Sequence, residues 1–196
     1  VKPRERVKQI KNAAGLIRKV RQMPGINAAA PMVNDGAIAT YGTKTINVDV
    51  LGVEPEQQVR VTTIGTKLTS GDFSRLKTAA DGVVIGQGIA DVLGAQLDDT
   101  IVLTSASGGR ANAKVVGIFE TGVTPVDYSR CYMLLSNAQT LLGRKNIINE
   151  IVVRLDDYTD AQAYASQIEA VAGYRTESWQ ESNANFLKIF AVQTVI

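Results

Sequence analysis

Apolar residues recur with a helical period at Val7, Ile10, Ala14, Ile17 and at Leu16, Val20, which predicts an amphipathic first helix. Pro24-Gly25 should end it at Met23. Ile26 to Val33 then reads as extended chain, Asn34-Asp35-Gly36 as a turn, and Ala37 to Tyr41 as a strand. Thr45 to Val53 alternates Ile46, Val48, Val50 against Asn47, Asp49, the period of a half-buried strand, with Gly42-Thr43-Lys44 as the hairpin before it. Residues 54–81 read as loop-rich, with a strand-like Val59 to Ile64 and a turn at Ser70-Gly71-Asp72.

The signals sharpen after Gly82. Val83-Val84-Ile85 is an apolar strand, Gln87 to Leu93 a short helix, and Gly94 sits where a helix end favours positive φ. Ile101 to Thr104 and Ala113 to Phe119 read as strands joined at Ser107-Gly108-Gly109, and Cys131 to Leu135 as a strand feeding a helix that stops at Gly143. Three stretches have the spacing of a capping box: Ser136 to Gln139, Thr159 to Gln162 and Ser178 to Glu181. Between them Ile147 to Leu155 is strand-like, Ala161 to Ala172 is a helix with Tyr164, Ala165 and Ile168 on its apolar face, and Tyr174 to Glu177 can be a strand. Helix opens and closes the chain while strands dominate its middle. The expected class is therefore α+β: an α/β subdomain from residues 1–36 and 145–196, with a β-rich subdomain, 37–144, inserted into it.

Composition narrows the chemistry. Hydrophobic residues are 45% of the 196 and charged residues 20%, values of an ordinary water-soluble fold. Without a single histidine, the serine-histidine-acid triad and histidine-ligated metal sites are excluded, and Cys131 alone can form no internal disulfide. No window reaches the roughly 18 consecutive apolar residues of a bilayer-spanning helix. The opening at Val1 and the ending at Val195-Ile196, inside an apolar helix-like stretch, read as a soluble fragment of a longer chain.

Charge is uneven. Residues 1–23 carry eight basic side chains against Glu5, a net +7, and the remainder carries 13 basic against 18 acidic, a net −5. Such an end could touch nucleic acid or phospholipid headgroups, but with no nucleic-acid motif and an acidic remainder, no nucleic-acid partner is expected.

The one tempting ligand motif is Val83-Val84-Ile85-Gly86-Gln87-Gly88-Ile89-Ala90-Asp91, a strand, glycine turn and helix of the kind dinucleotide folds use for pyrophosphate. Asp91 stands where a third glycine belongs, and its charge and bulk oppose the role. The alternative reading, a nucleotide-binding enzyme domain using Gly86 and Gly88, rests on that turn alone. Asp98-Asp99 and Asp156-Asp157 sit at element ends and read as turn residues. No catalytic, cofactor or metal constellation emerges. Two features remain as candidates: the turn-rich connection Glu120 to Arg130, with Gly122, Pro125, Asp127 and Arg130 as a partner-contact loop, and Trp179, which would seat the terminal helix.

An ordered set of segments resembles one family. Leu68 to Asp72, Val83 to Gly94, Val115 to Gly122, Asp127, Tyr132 to Leu135, Ala138-Gln139 with Leu141-Leu142, and Ser178-Trp179 followed by Asn183 and Phe186 are similar to the MacB-like periplasmic core domain. That domain occurs in ABC-transporter permeases of the macrolide-exporter and lipoprotein-releasing kind. The resemblance implies a domain outside the inner membrane, flanked by transmembrane helices, in a permease that pairs with a second copy or paralogue. It further implies a cytoplasmic ABC ATPase whose work is relayed by mechanotransmission, and a periplasmic carrier or outer-membrane channel as outer partner. The domain itself would be no enzyme, and the cargo a lipoprotein, lipid, peptide or drug. The lipoprotein-releasing kind has a protruding carrier-binding loop that finds no match here. The +7 segment sits on the side that basic residues usually avoid, a rule that weakens for whole domains.

Overall fold

The computed structural model describes residues 8–178 and residue 181. Helix α1, Ala13–Arg21, buries Ile17 and Val20 and is capped by Asn12, whose side chain accepts from the Gly15 amide. Strands β1, Ile26–Tyr41, and β2, Lys44–Val53, form an antiparallel hairpin closed at Gly42-Thr43. Then follow α2 (Pro55–Val61), β3 (Leu68–Gly71), α3 (Arg75–Thr78), β4 (Gly82–Gly86), α4 (Gln87–Leu93), β5 (Thr100–Ser105) and β6 (Arg110–Phe119). The chain continues through α5 (Thr124–Asp127), β7 (Arg130–Leu134), α6 (Leu135–Leu141), β8 (Glu150–Leu155) and α7 (Ala161–Ala172). The class is α+β, as expected.

Pairing proceeds β1-β2-β7-β4-β6-β5 and returns to β1, so six strands close into a ring, with β3 added to β6 and β8 added to β1. The β2–β7 and β4–β6 pairs are parallel and the others antiparallel. Closure removes the exposed edges an open sheet would leave. Alternation sorts the strand residues into two cores: Val83, Ile85, Cys131, Met133, Val48 and Val50 point to one side, where α4 and α6 supply Ile89, Leu93, Ala138 and Leu141. On the other side Val84, Val116, Leu51 and Val53 join Leu76, Phe73, Phe119 and Tyr132, and the Tyr132 ring meets both phenylalanine rings edge to face. A third cluster holds Ile17 and Val20 of α1, Ile26 and Ala29 of β1 and Ile168 of α7. Burial raises the pKa of the free Cys131 thiol far above its usual range and leaves it inert.

Several local expectations are corrected. Asn34-Asp35-Gly36 is not a turn, because β1 runs through it in register with Leu51, Val50 and Asp49 of β2. Along the other edge β8 starts opposite Met32 and β5 finishes opposite Ala37, leaving a gap between them. The buried Asn149 side chain fills it in the manner of a peptide group: its Oδ1 accepts from the Asn34 amide and its Nδ2 donates to the Asn34 carbonyl, both at 2.8 Å. Arg144 Nε adds a bond to Asp35 Oδ2 at 2.7 Å. Turn-forming residues are thus held extended by side chains from more than a hundred positions away.

Val59 to Ile64 is not a strand; α2 covers its first half, with Pro55 in the first turn and Pro55, Gln58 and Val61 buried at a three-residue spacing. Ser136 does not cap α6, since the helix already begins at Leu135 and Gln139 Nε2 instead donates to the Ile147 carbonyl. Thr159 gives its amide and hydroxyl to Asp157 Oδ1 rather than capping α7. Tyr174 to Glu177 forms no strand. The third box does form: the Ser178 amide donates to Glu181 Oε2 and the Glu181 amide to Ser178 Oγ, each at 3.3 Å. The helix expected beyond it lies outside the described residues. The boundary drawn at residues 36 and 37 falls inside β1.

Candidate functional site

The connection from β6 to β7 is built around one carboxylate. Asp127, 6% exposed, accepts the Thr121 amide at 2.8 Å and the Thr121 hydroxyl at 2.7 Å on Oδ1, and the Gly122 amide at 3.1 Å on Oδ2. Gly122 turns the chain at φ +80°, Pro125 opens the single turn of α5, and Ser129 Oγ donates to the Pro125 carbonyl at 2.7 Å. A buried carboxyl group satisfied by three donors is stable where an unpaired one would not be. The loop is therefore preorganised, with its ends held in β6 and β7.

The glycine turn is the seat of that loop. A β-carbon on Gly86 would lie 2.1 Å from the Asp127 carbonyl oxygen, and one on Gly88 would lie 2.2 Å from the Tyr128 ring. Both glycines exist to let protein approach closely, and the space a pyrophosphate would need above the strand end holds α5 and Tyr128. Gln87 Nε2 donates to Asp91 Oδ1 at 2.8 Å along α4. The geometry does not support a nucleotide site.

Of the four loop residues singled out from sequence, Asp127 is buried and structural, Gly122 shapes the turn, and Pro125 and Arg130 are half-buried. Arg130 opens β7 opposite Asp49 of β2. The large apolar side chains the loop offers to solvent are Val123, 48% exposed, and Tyr128, 45% exposed, with Val92 of α4, 38% exposed, one helical turn beyond Gly88. Sequence reasoning missed these because it weighed polar and turn-forming residues; apolar residues inside an otherwise turn-rich loop were the available signal. Trp179 lies outside the described residues.

Elsewhere among the described residues no catalytic grouping is assembled. A groove of about 530 Å³ on the outside of the ring is lined by Ile38, Asn47, Thr104 and Ser129 between Asp35 and Asp49. A second hollow, about 360 Å³, lies beside α7 among Gln162, Ser166, Glu169, Arg175 and Thr176. Neither joins a nucleophile to a base. Among the described residues no three His, Cys, Asp or Glu side chains gather where a metal ion could be held, and no helix is long and apolar enough to cross a membrane.

A family model described as the MacB-like periplasmic core domain matches residues 4–171. The lipoprotein-releasing system transmembrane protein LolC of Neisseria meningitidis is 25% identical over 185 residues, covering 88% of this chain and 45% of that protein. The lipoprotein-releasing system transmembrane protein LolE of Haemophilus influenzae is 28% identical over 152 residues, covering 72% and 36% respectively. The chain thus spans less than half the length of these curated relatives. Among solved structures, the extracellular domain of the noncanonic ABC-type transporter YknZ from Gram-positive bacteria superposes with a TM-score of 0.57 at 13% identity, covering 84% of both chains. The periplasmic region of MacB from Actinobacillus actinomycetemcomitans gives 0.55 at 13% identity, covering 83% of this chain and 75% of that one. These two likenesses establish the fold.

Proposed function

We propose, because the chain belongs to the MacB-like periplasmic core domain family, that it is the extracytoplasmic domain of an ABC-transporter permease in the inner membrane. It relays ATP-driven motion to a substrate that is exported or extracted from the bilayer. ATP hydrolysis takes place in a separate cytoplasmic ATPase subunit or domain, and the chain is a moving permease component rather than an enzyme. It works as a pair with a second copy or paralogue, and hands cargo to a periplasmic carrier or outer-membrane channel. The names of the curated relatives favour a lipoprotein over a lipid, peptide or drug as cargo.

The observation that carries this reading is the family match across residues 4–171. Geometry supports it in two ways. The Lys11 amide donates to the Tyr174 hydroxyl at 2.9 Å, so the segment leading into α1 and the segment leaving α7 lie side by side. Membrane helices attached on both sides would enter the same bilayer without spanning the fold. The hydrophobic clusters also follow the proposed subdomains: the third is confined to residues of 1–36 and 145–196, while the first two draw mainly on residues 37–144. In this reading the stapled loop around Asp127, with Val123 and Tyr128, is the surface that meets an outer partner.

The test is the complete gene. Roughly 18 or more apolar residues are expected just outside each end of the chain, and the full-length protein should copurify with an ABC ATPase from detergent-solubilised membranes. A polar flank on either side would overturn the reading.

A further inference from the structure

Positive charge converges on one end of the fold from two segments distant in sequence. The Lys8 carbonyl accepts from Arg144 Nη1 at 3.2 Å, and the Ile10 amide donates to the Ile148 carbonyl at 2.7 Å. Lys8 and Lys11 are thereby placed beside the turn that carries Lys145, and all three lysines are exposed. The segments 8–34 and 128–149 contain no aspartate or glutamate. Asp35, a carboxylate that does reach this region, is engaged by Arg144. Arg18 and Lys19 continue the exposed positive charge along α1, and Arg21, also exposed, is tied to the Ala29 carbonyl. This is also the end at which Lys11 meets Tyr174.

We propose that this basic face, centred on Lys8, Lys11 and Lys145, is a docking surface for the anionic phospholipid headgroups of the membrane beneath it. The inference rests on the permease reading, which puts this end toward the bilayer. It gives the lysines a role that helix formation does not: their apolar neighbours Ile10, Ile17 and Val20 do the packing, and the charges are left in solvent. An ammonium near an anionic surface gains about a fivefold preference for the bound state, and the gain is screened within a Debye length. Contact with headgroups would hold the domain against the membrane in one orientation and release it when force lifts that end.

The experiment is sedimentation of the 196-residue chain with phosphatidylcholine vesicles, with and without phosphatidylglycerol. Binding is expected only to the anionic vesicles, and should vanish when salt shortens the Debye length to about 3 Å. The triple variant Lys8→Gln/Lys11→Gln/Lys145→Gln should bind roughly a hundredfold more weakly, three factors of about five. The corresponding Lys→Arg triple should bind like the parent. Lys44→Gln/Lys67→Gln/Arg110→Gln, the same charge change on other elements, should have little effect. Failure to bind anionic vesicles at low salt, equal binding to neutral ones, or equal loss in both Gln triples would overturn the proposal. So would preferential capture of polyglutamate by the same lysines, which would make an acidic protein the occupant. None of these outcomes bears on the flanking sequence, so the permease reading stands or falls separately.

Discussion

The ring of Tyr128 rests over the α-carbon of Gly88, so close that a β-carbon there would come within 2.2 Å of it. Gly88→Ala should therefore push the ring and its loop outward, at a cost of about 1–3 kcal/mol for overpacking. Urea unfolding measures the loss. Combining it with Tyr128→Ala should recover part of that loss, because the clash partner is gone. Strict additivity of the two changes would show that the contact is not the cause.

Asp127 organises the same loop from beneath. Replacing it with alanine leaves the Thr121 and Gly122 amides without their acceptor, a loss of about 1–3 kcal/mol for buried donors left unpaired. Hydrogen exchange at those two amides should accelerate, while the β4 and β6 amides stay protected. Unchanged exchange at Thr121 would remove the staple from the account.

Asn149 stands in for a strand beside β1. Asn149→Ala deprives the Asn34 amide and carbonyl of their partners at once and should destabilise the fold by about 1–3 kcal/mol. Amide exchange should rise first at Asn34. Asn149→Asp should not restore the parent, since a carboxylate cannot donate to the Asn34 carbonyl. Full stability in that variant would contradict the peptide-mimic role.

Acid should probe the turn before β5. Hydrogen bonds from Arg75 and then Lys114 hold the Asp98 carboxyl below the usual carboxylate range. A folded pKa below the unfolded one stabilises the protein fully above the unfolded value, and that contribution is lost as pH falls through the folded value. Asp98→Asn should thus flatten part of the acid limb of stability against pH and leave the limb above neutrality alone. Asparagine also tolerates the φ of +69° found there. An identical acid limb in the variant would show that the pair contributes nothing.

Much of the fold could be read from the residues. Alternation placed β2 and the apolar run Val83 to Ile85 placed β4, while Gly94, Gly143 and Gly173 marked the helix ends with their positive φ. The failures share a cause, which is that long-range partners overrode local propensity. Asn34 to Gly36 would turn in isolation but are paired by β2 and Asn149. Ser136 and Thr159 carry capping-box spacing without forming the box, whereas Ser178 and Glu181 do form it. At the candidate site, Gly86 and Gly88 announced a close approach, yet only the structure shows that Asp127 and Tyr128 make it. Ring closure itself was illegible, because it depends on β5 meeting β1 across more than sixty intervening positions.

Strand β1 covers 16 residues without a break, about 50 Å at the usual rise per residue. It begins among the helices of the third cluster and finishes in the ring, paired with β8 at its start and β2 at its end, and flanked on both sides at Met32 and from Ala37 to Thr40. An extended backbone so braced is stiff against stretching. A tug on Ile26 would arrive at Tyr41 almost undiminished, and the barrel would behave as the far end of a rod instead of a passenger on a spring.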